Sequence, residues 1–164
     1  MAILGNYSPE DVTVLFAGVS KLTGFVDGTF VNISKDEASF LTRVTSDGRA
    51  TRVHSSNPIY TVNLTLHSGS ESNQILTYAL KVDEETKMGK FPLIIKDKMG
   101  GTLFFSATSW IETLPSSNFS VGIEDREWII KCSQVSFNIG GNESPSTMTE
   151  DALRTALGLA GGFF

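Results

Sequence analysis

Few side chains in this chain are equipped for chemistry. His54 and His67 stand thirteen positions apart, without the i,i+2 or i,i+4 spacing that brings two imidazoles to one metal, and Cys132 has no second cysteine to complete a thiolate pair. In the apolar run "EWIIKCSQV" that thiol reads as a buried, inert group and not as a nucleophile. Carboxylates adjoin at Asp36-Glu37, Asp83-Glu84-Glu85 and Glu124-Asp125. All lie in polar connections or at a helix end, where they read as solvated charge clusters, whereas general acid–base work needs a carboxyl raised in pKa by burial. No Gly-x-Ser-x-Gly elbow, Gly-x-Gly-x-x-Gly turn or Walker loop occurs. These residues predict a protein that is not an enzyme and holds no metal or cofactor.

The remaining chemical feature is cationic. Arg43, Arg49 and Arg52 gather in "ASFLTRVTSDGRATRVHSS", residues 38–56. The stretch reads as two short strands meeting at Asp47-Gly48, a dipeptide suited to a type I′ turn. Pairing outward from that turn sets Arg43 opposite Arg52, a like-charge contact that repels. Neither face carries enough apolar surface to hold the ribbon against its own domain, so it needs something else to pack on. Nucleic acid fits poorly, because Phe40 is the nearest aromatic and no series of exposed rings is available for bases to stack on. Arginine pairs bidentately with carboxylates, which leaves acidic clusters on a second copy of the chain, or a salt bridge within the same chain.

The elements that must carry these residues are mostly strands. A chain of 164 residues with 40% hydrophobic content is long enough for one core. Its net charge of −5 argues against a surface built to hold nucleic acid. The start "MAILGNYSPEDV" lacks a basic leader followed by an apolar run, and no later segment approaches the length that spans a bilayer, so no membrane anchor is expected. Period-two runs rich in β-branched and aromatic residues occur at 11–18, 28–34, 40–46, 49–53, 58–67, 91–97, 102–111 and 127–137. In "IYTVNLTLH", Val62, Leu64 and Leu66 share one face with Tyr60, while Thr61, Asn63 and Thr65 share the other. Residues 28–34 repeat the pattern, with Val31 and Ile33 inward and Asn32 and Ser34 outward. The outward faces are neutral and short, unlike an ordinary solvated sheet face with its Lys, Glu and Arg; they fit either a plain solvent face or a second environment. Helical spacing in "SESNQILTYALKVDEET" predicts one amphipathic helix flanking the sheet, with Ile75, Leu76, Ala79 and Leu80 toward the core and Ser70 or Ser72 as cap. Trp128, Ile130 and Cys132 complete the predicted core. Past residue 141 the composition changes: Thr147-x-x-Glu150 offers a capping box for a short helix ahead of the apolar end "GLAGGFF". We divide the chain into a domain at 1–141 and an extension at 142–164.

The segments "YSPEDVTVLFAG", "LTGFVDGTFVNISKDEASF", "TRV", "VNLTL", "SNQILTYAL", "PLIIKDKMGGTLFFSATSWI" and "REWIIKC", in that order, resemble the tail tube proteins of contractile-tailed bacteriophages. The resemblance runs from about Tyr7 to Gly141, and the segment from Asn142 has no counterpart in it. It implies a mainly β subunit, a β-sandwich or small barrel with one flanking helix and an extended β-hairpin. Copies would form a hexameric ring with a continuous inner β-barrel. Rings would stack into a conduit that passes DNA when the sheath contracts. It further implies that the hairpin with Arg43, Asp47, Gly48, Arg49 and Arg52 reaches a neighbouring copy, and that Asn32, Ser34, Thr61, Asn63 and Thr65 line the channel. Six copies at −5 each give a ring of −30, which would let DNA slide without being held. Sheath, tape-measure, tail terminator and baseplate proteins are the implied partners, the virion tail the implied location, and the host bacterial cytoplasm the site of assembly. A tube protein of a related contractile injection system is equally compatible. A different class, a β-sandwich binding carbohydrate on Trp110 or Trp128, would need one of those rings exposed, whereas their apolar surroundings favour core packing.

Overall fold

Alternating sequence becomes a strongly curled antiparallel sheet. The computed structural model describes residues 8–98 and 100–140; the expected extension at 142–164 lies outside them. A turn of 3-10 helix leads into β1 (Val12–Phe16), followed by β2 (Ser20–Lys21), β3 (Val31–Lys35), β4 (Phe40–Val44), β5 (Ala50–His54) and β6 (Tyr60–His67). Helix α1 (Ser72–Thr86) precedes β7 (Phe91–Asp97), β8 (Leu103–Thr113) and β9 (Asp125–Asn138). Seven strands form one sheet in the order β2-β1-β7-β8-β9-β6-β3, and β4 and β5 form a separate two-stranded ribbon. This differs from two packed sheets or a closed barrel: among the described residues the large sheet keeps two margins, β2 and β3. It curls far enough for Val31 and Ile33 of β3 to face Val12 and Ile95 of β1 and β7 across a cleft of about 350 Å³.

The curl wraps one core. Val62, Leu64 and Leu66 of β6, Val14 and Phe16 of β1, Leu93 and Ile95 of β7, and Trp128, Ile130 and Cys132 of β9 are buried together, and Val31 and Ile33 pack half-buried against them. Tyr60, Phe104 and Phe137 close one end with edge-on ring contacts at centroid distances of 5.5–6.2 Å. Helix α1 covers the core with Leu76 and Ala79, and Leu80 packs half-buried beside them. Ile75, expected inside, is 37% exposed. At 100° per residue the buried stripe centres on Ser72, Leu76 and Ala79, and Ile75 falls about 65° from that centre. The helix start is organised by Ser70, whose Oγ accepts the Ser72 N–H at 3.2 Å and donates to the Thr23 carbonyl at 2.5 Å. Trp128 is 1% exposed, and its indole N–H donates to Asn73 Oδ1 at 2.9 Å, tying β9 to the helix.

A bulge breaks the alternation of β8. Opposite β7, Leu93 pairs with Ser106 but Phe91 pairs with Ser109, so β8 carries one extra residue there. Gln134, in the left-handed region at φ 51°, lies on the neighbouring strand. The buried positions run Phe104, Ser106, then Ser109 and Ile111. Both serines satisfy their hydroxyls on backbone carbonyls, Ser106 on Ser133 at 2.7 Å and Ser109 on Phe91 at 2.5 Å. The shift turns Trp110, expected in the core, onto the outer face opposite Lys131, where it is half-buried.

Candidate functional site

The arm is the continuation of a ribbon. β3 and β6 pair from Val31↔Leu64 to Lys35↔Tyr60, and the two chains do not close there. The Asp36 N–H donates to the Ile59 carbonyl at 3.0 Å, the Ser55 N–H to the Ser39 carbonyl at 2.9 Å, and the Ser55 hydroxyl to Glu37 Oε2 at 2.7 Å. Beyond this neck β4 and β5 run on as a free ribbon in which every residue is exposed. The projecting hairpin is thus bound to its own body at the neck and presents both faces to solvent.

Its register corrects the sequence expectation. The Gly48 N–H donates to the Thr45 carbonyl and the Thr45 N–H to the Arg49 carbonyl, both at 2.9 Å, with Gly48 at φ 84°. That is a three-residue loop closed by a left-handed glycine, in place of a two-residue type I′ turn. The Thr45 hydroxyl donates to Asp47, which also ion-pairs with Arg49 at 3.4 Å; the hydroxyl, and then the Arg49 backbone, hold the Asp47 carboxyl below the usual carboxylate range. The extra loop residue slips the pairing by one: Arg43 faces Thr51 and Arg52 faces Thr42. The two arginines therefore stand on opposite faces and the expected repulsion does not arise. Arg52 lies over the Phe40 ring at 4.2 Å, and the His54 ring stands 5.2 Å from that of Phe40.

The outer face of the sheet brings Asn32 opposite Asn63 and Ser34 opposite Thr61. β9 adds Lys131, Ile129 and Glu127 opposite Thr61, Asn63 and Thr65. Asn32 and Ser34 are exposed, and Thr61, Asn63 and Thr65 half-buried. The neutral pattern read along β3 and β6 misses a charge cluster supplied by other segments. Lys131 Nζ sits 2.9 Å from Asp36 and 3.8 Å from Glu112, and donates to the Thr61 hydroxyl at 2.7 Å. The Thr61 hydroxyl donates in turn to Asp36; that bond, and then Lys131, lower the Asp36 pKa. The outward position of Lys131 in "EWIIKCSQV" was visible as alternation, but its acidic partners on the neck and on β8 were not. One cation between two carboxylates leaves this face without surplus positive charge to hold phosphate.

The other candidates do not converge. Cys132 is buried, and desolvation pushes its thiol up to about 12. His54 is on the arm, whereas His67 ends β6, 3.8 Å from Asp125. Glu124 accepts the Ser120 hydroxyl at 2.6 Å in the β8–β9 loop. Buried Trp128 cannot serve as a stacking platform. Among the described residues no three His, Cys, Asp or Glu side chains group as metal ligands, and no helix is long and apolar enough to cross a membrane.

Over 161 residues the chain is 34% identical to the structural protein ORF10 of Pseudomonas phage KPP10, across 94% of this chain and 92% of the phage protein. The chain belongs to the ORF10 family. No protein-family profile matches it. Solved structures that share the fold of this ORF10-family chain include two terminating proteins. One is the tube-terminating cap of the anti-feeding prophage, with TM-score 0.53 and 12% identity over 84% of this chain and 94% of that one. The other is the sheath/tube terminator of the extracellular contractile injection system PVC in its extended state, with TM-score 0.55 and 14% identity over 84% of this chain and 100% of that one.

Proposed function

We propose that this ORF10-family chain is the tube subunit of a contractile phage tail. Copies join side by side into hexameric rings whose curled sheets merge into one inner barrel, and the rings stack into a hollow conduit that DNA crosses when the sheath contracts. The observation that carries this reading is the arm: a ribbon exposed on both faces, hung from the margin of a sheet whose last strand among the described residues is β3. An arm and an open edge are costly on a solitary domain and useful in an assembly that pairs them. Kinship with a phage structural protein supports the setting. Asn32, Ser34, Thr61, Asn63 and Thr65 then line the channel, where short neutral side chains beside the compensated Lys131 give DNA nothing to grip. Sheath, tape-measure, terminator and baseplate proteins meet the tube's outer wall and ends. Assembly takes place in the host bacterial cytoplasm.

A second reading makes the chain a tube terminator, which the fold shared with two terminating proteins favours. Electron microscopy of the purified full chain separates them. A tube subunit gives stacked rings that lengthen with concentration. A terminator gives single rings that do not stack, and a chain that stays monomeric at high concentration overturns both.

A further inference from the structure

We infer that the β8–β9 loop, residues 114–124, is the seat for the β4–β5 arm of another copy of this chain. This rests on the reading of the chain as a stacking subunit. Three observations carry it. The first is polarity. β6 pairs with β9 from Tyr60↔Cys132 to His67↔Asp125. The arm leaves at the Tyr60 end, and the loop lies at the His67 end, where the Ser68 N–H donates to the Glu124 carbonyl at 3.0 Å. The eight residues of β6 set the two about 25 Å apart, and the arm, exposed throughout, does not fold back to the loop of its own chain.

The second is matching chemistry. The loop exposes Phe119, Val121 and Ile123 almost fully, an apolar tip that an isolated domain has no reason to hold in water. The arm exposes Leu41, Val44 and Val53. At the loop's end stand Glu124, Asp125 and Glu127 against Arg126, whereas the arm carries Arg43, Arg49 and Arg52 against Asp47. An apolar loop tip with an acidic rim thus meets a basic ribbon that carries a few exposed aliphatic side chains.

The third is an incomplete packing beneath the loop. Arg126 has its guanidinium 5.9 Å from the Phe119 ring and donates to the Asn118 carbonyl at 3.4 Å, and its buried Nη1 has no acceptor among the described residues. A segment that settles on the loop and displaces the Phe119 ring can offer this donor a carbonyl. Because arm and seat are different surfaces at opposite poles, their union is heterologous and repeats without closing, which is what a stack requires.

The test uses two variants of the full chain, Val44→Cys and Val121→Cys, mixed, assembled and treated with a short flexible bis-maleimide; wild type with its buried Cys132 is the background control. The mixture should give a cross-linked dimer at least tenfold above either variant alone. Arg43→Glu with Arg52→Glu should abolish stacking, and adding Glu124→Arg with Glu127→Arg to the same chain should restore it. Wild type that stacks, with neither cross-link nor rescue, and a Phe119→Ser/Val121→Ser chain that stacks normally, would place the arm's seat elsewhere and overturn this inference while leaving the tube reading intact. Wild type that never stacks overturns both.

Discussion

Lys131 illustrates how one side chain settles the character of a surface. Its ammonium is shared by Asp36, Glu112 and the Thr61 hydroxyl, at a surface where Lys131 is half-buried and Asp36 exposed. The folded Asp36 pKa lies below the ordinary value of 3.8, so at acid pH the unfolded chain binds the proton more readily. Its contribution is complete above pH 3.8 and drains away as pH falls through the folded value. Asp36→Asn should therefore cost less than about 1 kcal/mol at pH 7 in urea denaturation, as expected for a screened surface pair, and progressively less below pH 3.8, the two curves converging at strong acid. Cys132 gives a sharper expectation. With its thiol at about 12 and no exposure, it should resist aromatic disulfide reagents in the native protein and react only at the rate of unfolding.

At the level of elements, one added residue in a turn and one in a strand redirected four side chains. The three-residue loop at Ser46–Gly48 put Arg43 and Arg52 on opposite faces of the arm. The bulge in β8 turned Trp110 out and Ser109 in. The arm also has little coupling to the body beyond its neck, so its stability is local. Its amides should exchange with deuterium at rates orders of magnitude above those of β6 and β9. Gly48→Val places a branched side chain at φ 84° and should disorder the arm tip while shifting the global unfolding free energy by less than about 0.5 kcal/mol, as thermal melts would register.

For the molecule and its copies, the open sheet margins and the two poles decide what association is available. In the proposed assembly, lateral joining would use backbone groups at β3, which salt barely affects, whereas the proposed arm docking would draw part of its strength from exposed arginines and acids. Ring stacking should accordingly weaken as salt rises from 0.1 to 1 M, where the screening length falls from about 10 to about 3 Å, with the rings themselves persisting. Sedimentation at fixed protein concentration checks this, and loss of rings before stacks would contradict the division of labour.

Strand placement was legible because alternation of apolar and polar residues is a local property. The runs at 58–67, 91–97 and 127–137 surface as β6, β7 and β9 with Val62, Leu64, Leu66, Ile130 and Cys132 inside. A hairpin too poor in apolar surface to pack at home was legible for the same reason. Which margin each strand occupies, which carboxylates surround Lys131 and where the loop bearing Phe119 stands relative to the arm depended on contacts between segments distant in the chain. Turn length and bulge position decided the rest, since a single residue reverses a strand's faces and the local pattern around Asp47-Gly48 is compatible with either register.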